Sequence, residues 1–263
     1  MIDGVTRRVS SPTFVGRGPE LRQLDDAFER ASTGRPSIVL LGGEAGVGKT
    51  RLTTEFGGHV AAADGITAAG GCLDLGEGGL PYGPLVEALR DLVRQLEPQA
   101  RERVIGRSRA AIGILVPDLD PERSGTDITD QALDWTGRRA HMFDALLAIF
   151  GRAATELPVV LVLEDLHWSD GSTRDFLRFL GRNLRDERLL IVATYRSDEL
   201  HRRHPLGPLL SELSRGASVE RIELRRFDRA ELTEQLGGIL GHPPGAALVD
   251  VMLERSDGLA YYV

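Results

Sequence analysis

One cysteine and one lysine are all that this 263-residue chain has of either type. A lone Cys72 excludes an internal disulfide framework and a cysteine-rich zinc site, and it suits a reducing compartment. Long apolar runs are missing as well. None approaches the roughly 20 residues of a membrane span, and the opening MIDGVTRRVSSPTF lacks the apolar core of a signal peptide. A cytoplasmic protein with no membrane partner is expected. Nor is there a surplus of positive charge. The 32 basic residues face 39 acidic ones, a net charge of −7, which disfavours nonspecific nucleic-acid binding. Repeats and low-complexity tracts are absent. What remains is the composition of one α/β domain with room for a small appendage.

The single lysine, Lys49, stands among 31 arginines, inside GEAGVGKT (residues 43–50). This octet satisfies G-x-x-x-x-G-K-[ST], the phosphate-binding loop pattern. Glycines at 43, 46 and 48 let backbone N–H groups approach a phosphate closely. A helix starting near Lys49 adds the positive end of its dipole. Lysine is a compact point charge on a flexible stem, whereas arginine is a wide planar fork that would not fill the same space in a tight anion nest. Thr50 can offer its hydroxyl to Mg²⁺. Residues Gly43, Glu44, Ala45, Gly46, Val47, Gly48, Lys49, Thr50 and Arg51 are therefore the candidates to hold a nucleotide.

The context agrees with the motif. SIVLLGG, before the loop, is a continuous apolar run of strand length, as in a strand buried on both faces. Leu52, Phe56 and Val60 then mark one stripe of a helix. Upstream, Gly18–Pro19 suits a helix start, and Leu21, Leu24, Phe28 and Ala31 share a face that Gly34 can end. ITAAGGCL (66–73) is a weaker strand, followed by the Gly/Pro loop DLGEGGLPYGP. Leu85, Leu89, Leu92 and Leu96 mark an amphipathic helix. A short helix after Arg101, the turn-rich VPDLDPERSGTD, and a helix through Met142, Phe143, Leu146, Leu147 and Phe150 follow. PVVLVLEDLHWSD (158–170) opens with a buried strand, Phe176, Leu177 and Leu180 lie on a helix, LLIVATYRS (189–197) is a third buried strand, and VERIEL (219–224) is a short one. Strands alternating with helices predict right-handed crossovers and a parallel sheet.

Two acids, Glu164 and Asp165, end the PVVLVLED run. In a phosphate-loop enzyme one should hold Mg²⁺ and the other should polarise or deprotonate the attacking water. Neighbours on a strand point to opposite faces, so their roles must differ. The order favours Glu164 for the metal and Asp165 for the water, and Asp170 suits the N-cap of the next helix. His167 and Trp168 share the loop. With the other histidines scattered, packing or loop positioning is expected of His167 rather than metal binding. The third strand ends near Thr194 and Arg196, and an arginine there can stabilise transition-state charge or report nucleotide state.

Taken together, FVGRGPELRQL, GEAGVGKTRL, LPYGPLVEALR, LVLEDLHWSD, STRDFLRFL, LLIVATYRSDEL and HPLGPLLSEL resemble the nucleotide-binding domain of STAND-class signalling ATPases. The order is most similar to the large ATP-binding, maltose-regulator-like members of the LuxR family of bacterial activators. The resemblance implies a P-loop NTPase three-layer sandwich with a mostly parallel sheet of about five strands, plus the start of a helical lid. The expected division is a polar lead-in (1–13), a nucleotide-binding domain (14–226) and a partial lid (227–263). It implies ATP or ADP with Mg²⁺, slow regulatory hydrolysis, and self-association in the ATP state. Val15, Gly16 and Arg17 would border the adenine, and Lys49, Glu164, Asp165 and Arg196 would form the catalytic set, with Thr50, Glu164 and Asp165 toward the metal. Family members commonly carry a Gly-x-Pro turn in the lid, and here Ala260 follows Gly258 in place of proline. The sequence ends in SDGLAYYV with no polar tail, so a longer protein is expected, with DNA read only by domains outside this chain. An AAA-type motor or loader and a nucleotide-binding scaffold of another signalling protein, such as an adenylate-cyclase-like one, are the alternatives.

Overall fold

Five strands form one all-parallel sheet in the order β2-β3-β4-β1-β5. They are β1 (Ser37–Gly43), β2 (Ile66–Gly71), β3 (Val159–Glu164), β4 (Leu189–Thr194) and β5 (Val219–Leu224). The computed structural model describes residues 14–74, 81–113, 115–119 and 135–262. The lead-in expected over 1–13, most of the Gly/Pro loop and most of the VPDLDPERSGTD turn lie outside the described residues. The helices are α1 (Gly18–Ser32), α2 (Lys49–Ala62), α3 (Gly83–Gln95), α4 (Pro98–Ile105), α5 (Arg109–Ile112), α6 (Trp135–Glu156), α7 (Gly171–Asn183), α8 (Leu206–Leu213), α9 (Arg229–Leu240) and α10 (Ala246–Ser256).

The apolar runs account for the layers. In β1, β3 and β4 successive side chains alternate between two cores. Ile38, Leu40, Leu161, Leu163, Ile191 and Ala193 face one, while Val39, Leu41, Val160, Val162, Leu190 and Val192 face the other. A strand covered on both sides has no solvent face, so every interior position is apolar. Helices α1 and α2 pack on the second face through Leu24, Phe28, Leu52, Phe56 and Val60. Helices α3, α6, α7 and α8 cover the first, the expected stripe of α3 (Leu85, Leu89, Leu92, Leu96) included. Strand β5 lies at the edge and alternates instead. Ile222 and Leu224 are buried while Arg221 and Glu223 are exposed, charges that discourage a further strand from pairing there.

Three strands end sooner than the composition suggests: β2 at Gly71, β3 at Glu164 and β4 at Thr194. The residues beyond them build the carboxyl-end crevice, where open α/β sheets hold ligands. Strand β4 lies between the phosphate-loop strand and the acid-bearing strand, pairing Leu41 with Thr194 on one side and Leu163 with Ala193 on the other. Gly70 admits α3 against β2, since a Cβ there would lie 1.9 Å from the Pro84 carbonyl oxygen. After β5, helices α9 and α10 form a small helical unit with its own core of Leu232, Leu236 and Val249. Asp228 and Glu231 cap α9 reciprocally.

Candidate nucleotide-binding site

The phosphate loop leaves β1 and turns into α2 at Lys49. Its turn requires positive φ at Gly46 (76°) and Gly48 (107°), a region that side chains disfavour. Lys49 is buried, at 7% exposure. Its Nζ donates to the carbonyls of Gly43 at 2.7 Å and Glu44 at 2.9 Å, and it forms no ion pair among the described residues. Burial lowers its pKa, against the attraction of Asp165. A buried ammonium whose partners are neutral carbonyls, at the mouth of a glycine turn and a helix N-terminus, is a setting suited to an anion. Thr50 and Arg51, on the first turn of α2, are exposed.

The two acids part company at the end of β3. Glu164, the last strand residue, turns toward α2 and accepts a hydrogen bond from Thr53 Oγ1 at 3.2 Å. Burial raises its pKa, and the Thr53 bond opposes the rise. Asp165 has left the strand, with φ 55° and ψ 46° in the left-handed region. Strand alternation therefore does not govern it, which corrects the expectation that the pair point to opposite faces of one strand. The Asp165 N–H donates to Thr194 Oγ1 at 3.0 Å, so the end of β4 fixes the backbone of the acid. Asp170 caps α7, accepting from the N–H groups of Ser172 and Thr173.

Arg196, just past β4, pairs with Glu199 at 2.6 Å and lies over the Trp168 ring at 4.7 Å. His167 sits between these groups with a fully buried side chain. Burial lowers its pKa.

The FVGR residues reach the same loop from the other side. Val15 is buried. Arg17, at φ 58°, donates to the carbonyls of Val47 at 3.3 Å and Arg225, and lies 4.7 Å over the Phe227 ring. Gly16 abuts α9, because a Cβ there would meet Glu231 Oε1 at 2.6 Å. Despite Ala260 in place of proline, the residue after it touches the loop. The Tyr261 N–H donates to the Gly46 carbonyl at 3.1 Å, and Arg226 bridges Glu44 and Asp257.

Thus Lys49, Glu164, Asp165 and Arg196 gather at the carboxyl end of β1, β3 and β4, while Val15, Gly16 and Arg17 lie between the phosphate loop and the start of α9. Sequence reasoning missed Thr53, Glu199, Arg226 and Tyr261. The first two had a usable signal, since each falls three residues after a named candidate, Thr50 and Arg196. No cluster of three or more His, Cys, Asp or Glu fit for a metal occurs among the described residues. No helix among the described residues is long and apolar enough to cross a membrane.

Comparison with known proteins bears on the family and the fold. The family model "AAA ATPase domain" matches residues 13–192. The "Uncharacterized protein R02095" of Rhizobium meliloti (strain 1021) is 27% identical over 260 residues, 88% of this chain and 24% of that protein. The chain thus spans about a quarter of that relative. Among solved structures, Aeropyrum pernix ORC2 in ADPNP–ADP complexes aligns with TM-score 0.52 and 13% identity, over 97% of this chain and 63% of that one. AMPPCP-bound DnaA from Aquifex aeolicus aligns with TM-score 0.50 and 12% identity, over 99% and 63%. At such identity these likenesses show the fold.

Proposed function

The chain belongs to the AAA ATPase domain family, and on that premise we propose that it is the ATP/ADP-binding, slowly hydrolysing switch module of a bacterial signal-responsive transcriptional regulator of the STAND, LuxR-like kind. The observation that carries the reading is the double contact of lid and phosphate loop. Tyr261 bonds Gly46, and Arg226 links Glu44 of the loop to Asp257, so a change in the loop reaches residues 227–262 through Tyr261 and, by way of Arg226, through Asp257. Such coupling suits a protein whose nucleotide state is its signal. Residues 14–226 form the nucleotide-binding domain and 227–263 the lid. The chain acts in the cytoplasm and self-associates in its ATP state, while DNA is read by other domains of the longer protein.

In this reading Gly43 to Arg51 wrap the phosphates, and Lys49 leaves its carbonyl partners for the anion. Val15, Gly16 and Arg17 border the adenine. Glu164 and Thr50 hold Mg²⁺, which when bound neutralises phosphate charge and orients the γ-phosphoryl group. Asp165 accepts the proton of the attacking water, and Arg196 stabilises charge on the transferred group.

Calorimetry and turnover assays with Mg²⁺ test this. ATP and ADP should bind tightly and turnover should be slow. Asp165→Asn should spare binding and cut hydrolysis about 100-fold or more. If Glu164→Gln loses hydrolysis while Asp165→Asn keeps it, the two roles are reversed. Absence of adenine-nucleotide binding overturns the proposal, and fast turnover that requires assembly favours a motor.

A further inference from the structure

His167 is the most isolated polar side chain in the site. Its ring is fully buried, and neither nitrogen has a hydrogen-bond partner. Buried polar atoms are nearly always paired, so two orphaned nitrogens on one ring need a physical cause. The nearest polar atoms identify it. Nδ1 lies 3.8 Å from Asp165 Oδ1, and Nε2 lies 3.6 Å from Glu199 Oε2. Both gaps are slightly beyond hydrogen-bond reach, and a small side-chain rotation closes either one.

A neutral imidazole has one N–H to give, and two carboxylates compete for it. Arg196 biases the competition. It pairs with the other oxygen of Glu199 at 2.6 Å, and the guanidinium charge makes Glu199 the weaker acceptor and Asp165, which has no arginine partner among the described residues, the stronger one for the imidazole proton. Trp168 walls the ring at 4.5 Å and itself carries the Arg196 guanidinium. The backbone of Asp165 is already fixed by Thr194, so the remaining freedom of the carboxylate is rotation of its side chain. A donor at Nδ1 removes that freedom.

Resting on the hydrolytic role of Asp165 given above, we propose that His167 is a positioning residue: its Nδ1–H orients the Asp165 carboxylate toward the attacking water, and the Glu199–Arg196 pair keeps that proton available. His167 is not itself the base.

Three variants of the full chain test this, each assayed for ATP affinity, kcat and KM, and thermal midpoint. Asn places an amide donor near the Nδ1 position, Gln places one near Nε2, and Phe keeps the ring without nitrogen. His167→Asn should hold kcat within about threefold of the parent, while His167→Phe and His167→Gln should lose about tenfold or more, with KM little changed in all three. A packing role ranks the variants oppositely, with Phe best because it fills the buried space. Phe equal to or better than Asn therefore overturns the inference. Should the Phe variant fail to fold, Asn and Gln decide: Asn well above Gln supports the inference, and equal rates overturn it. A parent chain that binds ATP without turnover overturns the hydrolytic role and this inference with it. A parent that turns over while all three variants match it overturns the inference alone.

Discussion

Lys49→Met separates what the lysine does for binding from what it does for folding. The ammonium is buried and donates to two carbonyls. Removing it returns a desolvation cost of several kcal/mol and forfeits two charge-assisted hydrogen bonds worth about 1.5–3 kcal/mol each. Neither carbonyl is orphaned, because Gly43 also accepts from the Ser197 N–H and Glu44 from the Val47 N–H, each at 3.3 Å. Methionine keeps an unbranched stem. The terms cancel to within about 2 kcal/mol, so the nucleotide-free midpoint should move by less than about 8 °C. Ligand linkage behaves differently. At a nucleotide concentration 100 times Kd the parent gains about 2.7 kcal/mol, or roughly 5–11 °C for a chain of this size. Lys49→Met should gain less than about 1 °C. Differential scanning fluorimetry with and without Mg-ATP reads both quantities. A nucleotide shift in the variant more than half that of the parent would refute the assignment of Lys49 to phosphate. A fall of the nucleotide-free midpoint well beyond about 8 °C would show that the ammonium is a structural pin instead.

Gly70→Ala should cost about 3 kcal/mol or more, because its Cβ would meet the Pro84 carbonyl at 1.9 Å and backbone must yield; an unchanged denaturation midpoint would contradict the packing of α3 on β2. Burial pushes the Cys72 thiol up to about 12, so at pH 8 about one molecule in ten thousand carries the thiolate. Labelling by a thiol reagent should therefore be slow in the folded chain and fast in denaturant, and equal rates would refute the burial. The His204 pKa is lowered, first by burial and then by the charge of His201. A base depressed on folding contributes stability above its unfolded value of about 6.5 that is lost as pH falls through the folded one. Stability should decline on acidification below about pH 6.5, and His204→Gln should flatten that decline, as urea midpoints across pH 5–8 would show.

The central strands were legible because burial on both faces leaves no polar interior position in β1, β3 and β4, and an apolar run that short, bounded by glycine or charge, fits a strand better than a helix. The phosphate loop was legible because its chemistry needs glycine at set intervals and one compact cation. The left-handed turn at Asp165 was not. It follows from Thr194 capturing the Asp165 N–H across two neighbouring strands, a contact between residues 29 positions apart. The reach of Arg17 to the Arg225 carbonyl, across 208 positions, and the touch of Tyr261 on Gly46 were equally hidden, since local patterning carries no record of distant pairing.

By itself the sequence determined the alternation of strands and helices, the anion-binding octet and the presence of two acids at a strand end. These depend on periodicity and on spacing within a few residues. The tertiary structure alone decided that β4 lies between loop and acids, that Glu164 turns to Thr53 while Asp165 leaves the strand, and that His167 is walled between two carboxylates. It also decided that Tyr261 touches Gly46 although Ala260 stands where proline was expected. The reason is physical. Local preference sets what each segment can be, but the direction of a side chain at a site is set by the packing of elements that are neighbours only after the chain has folded.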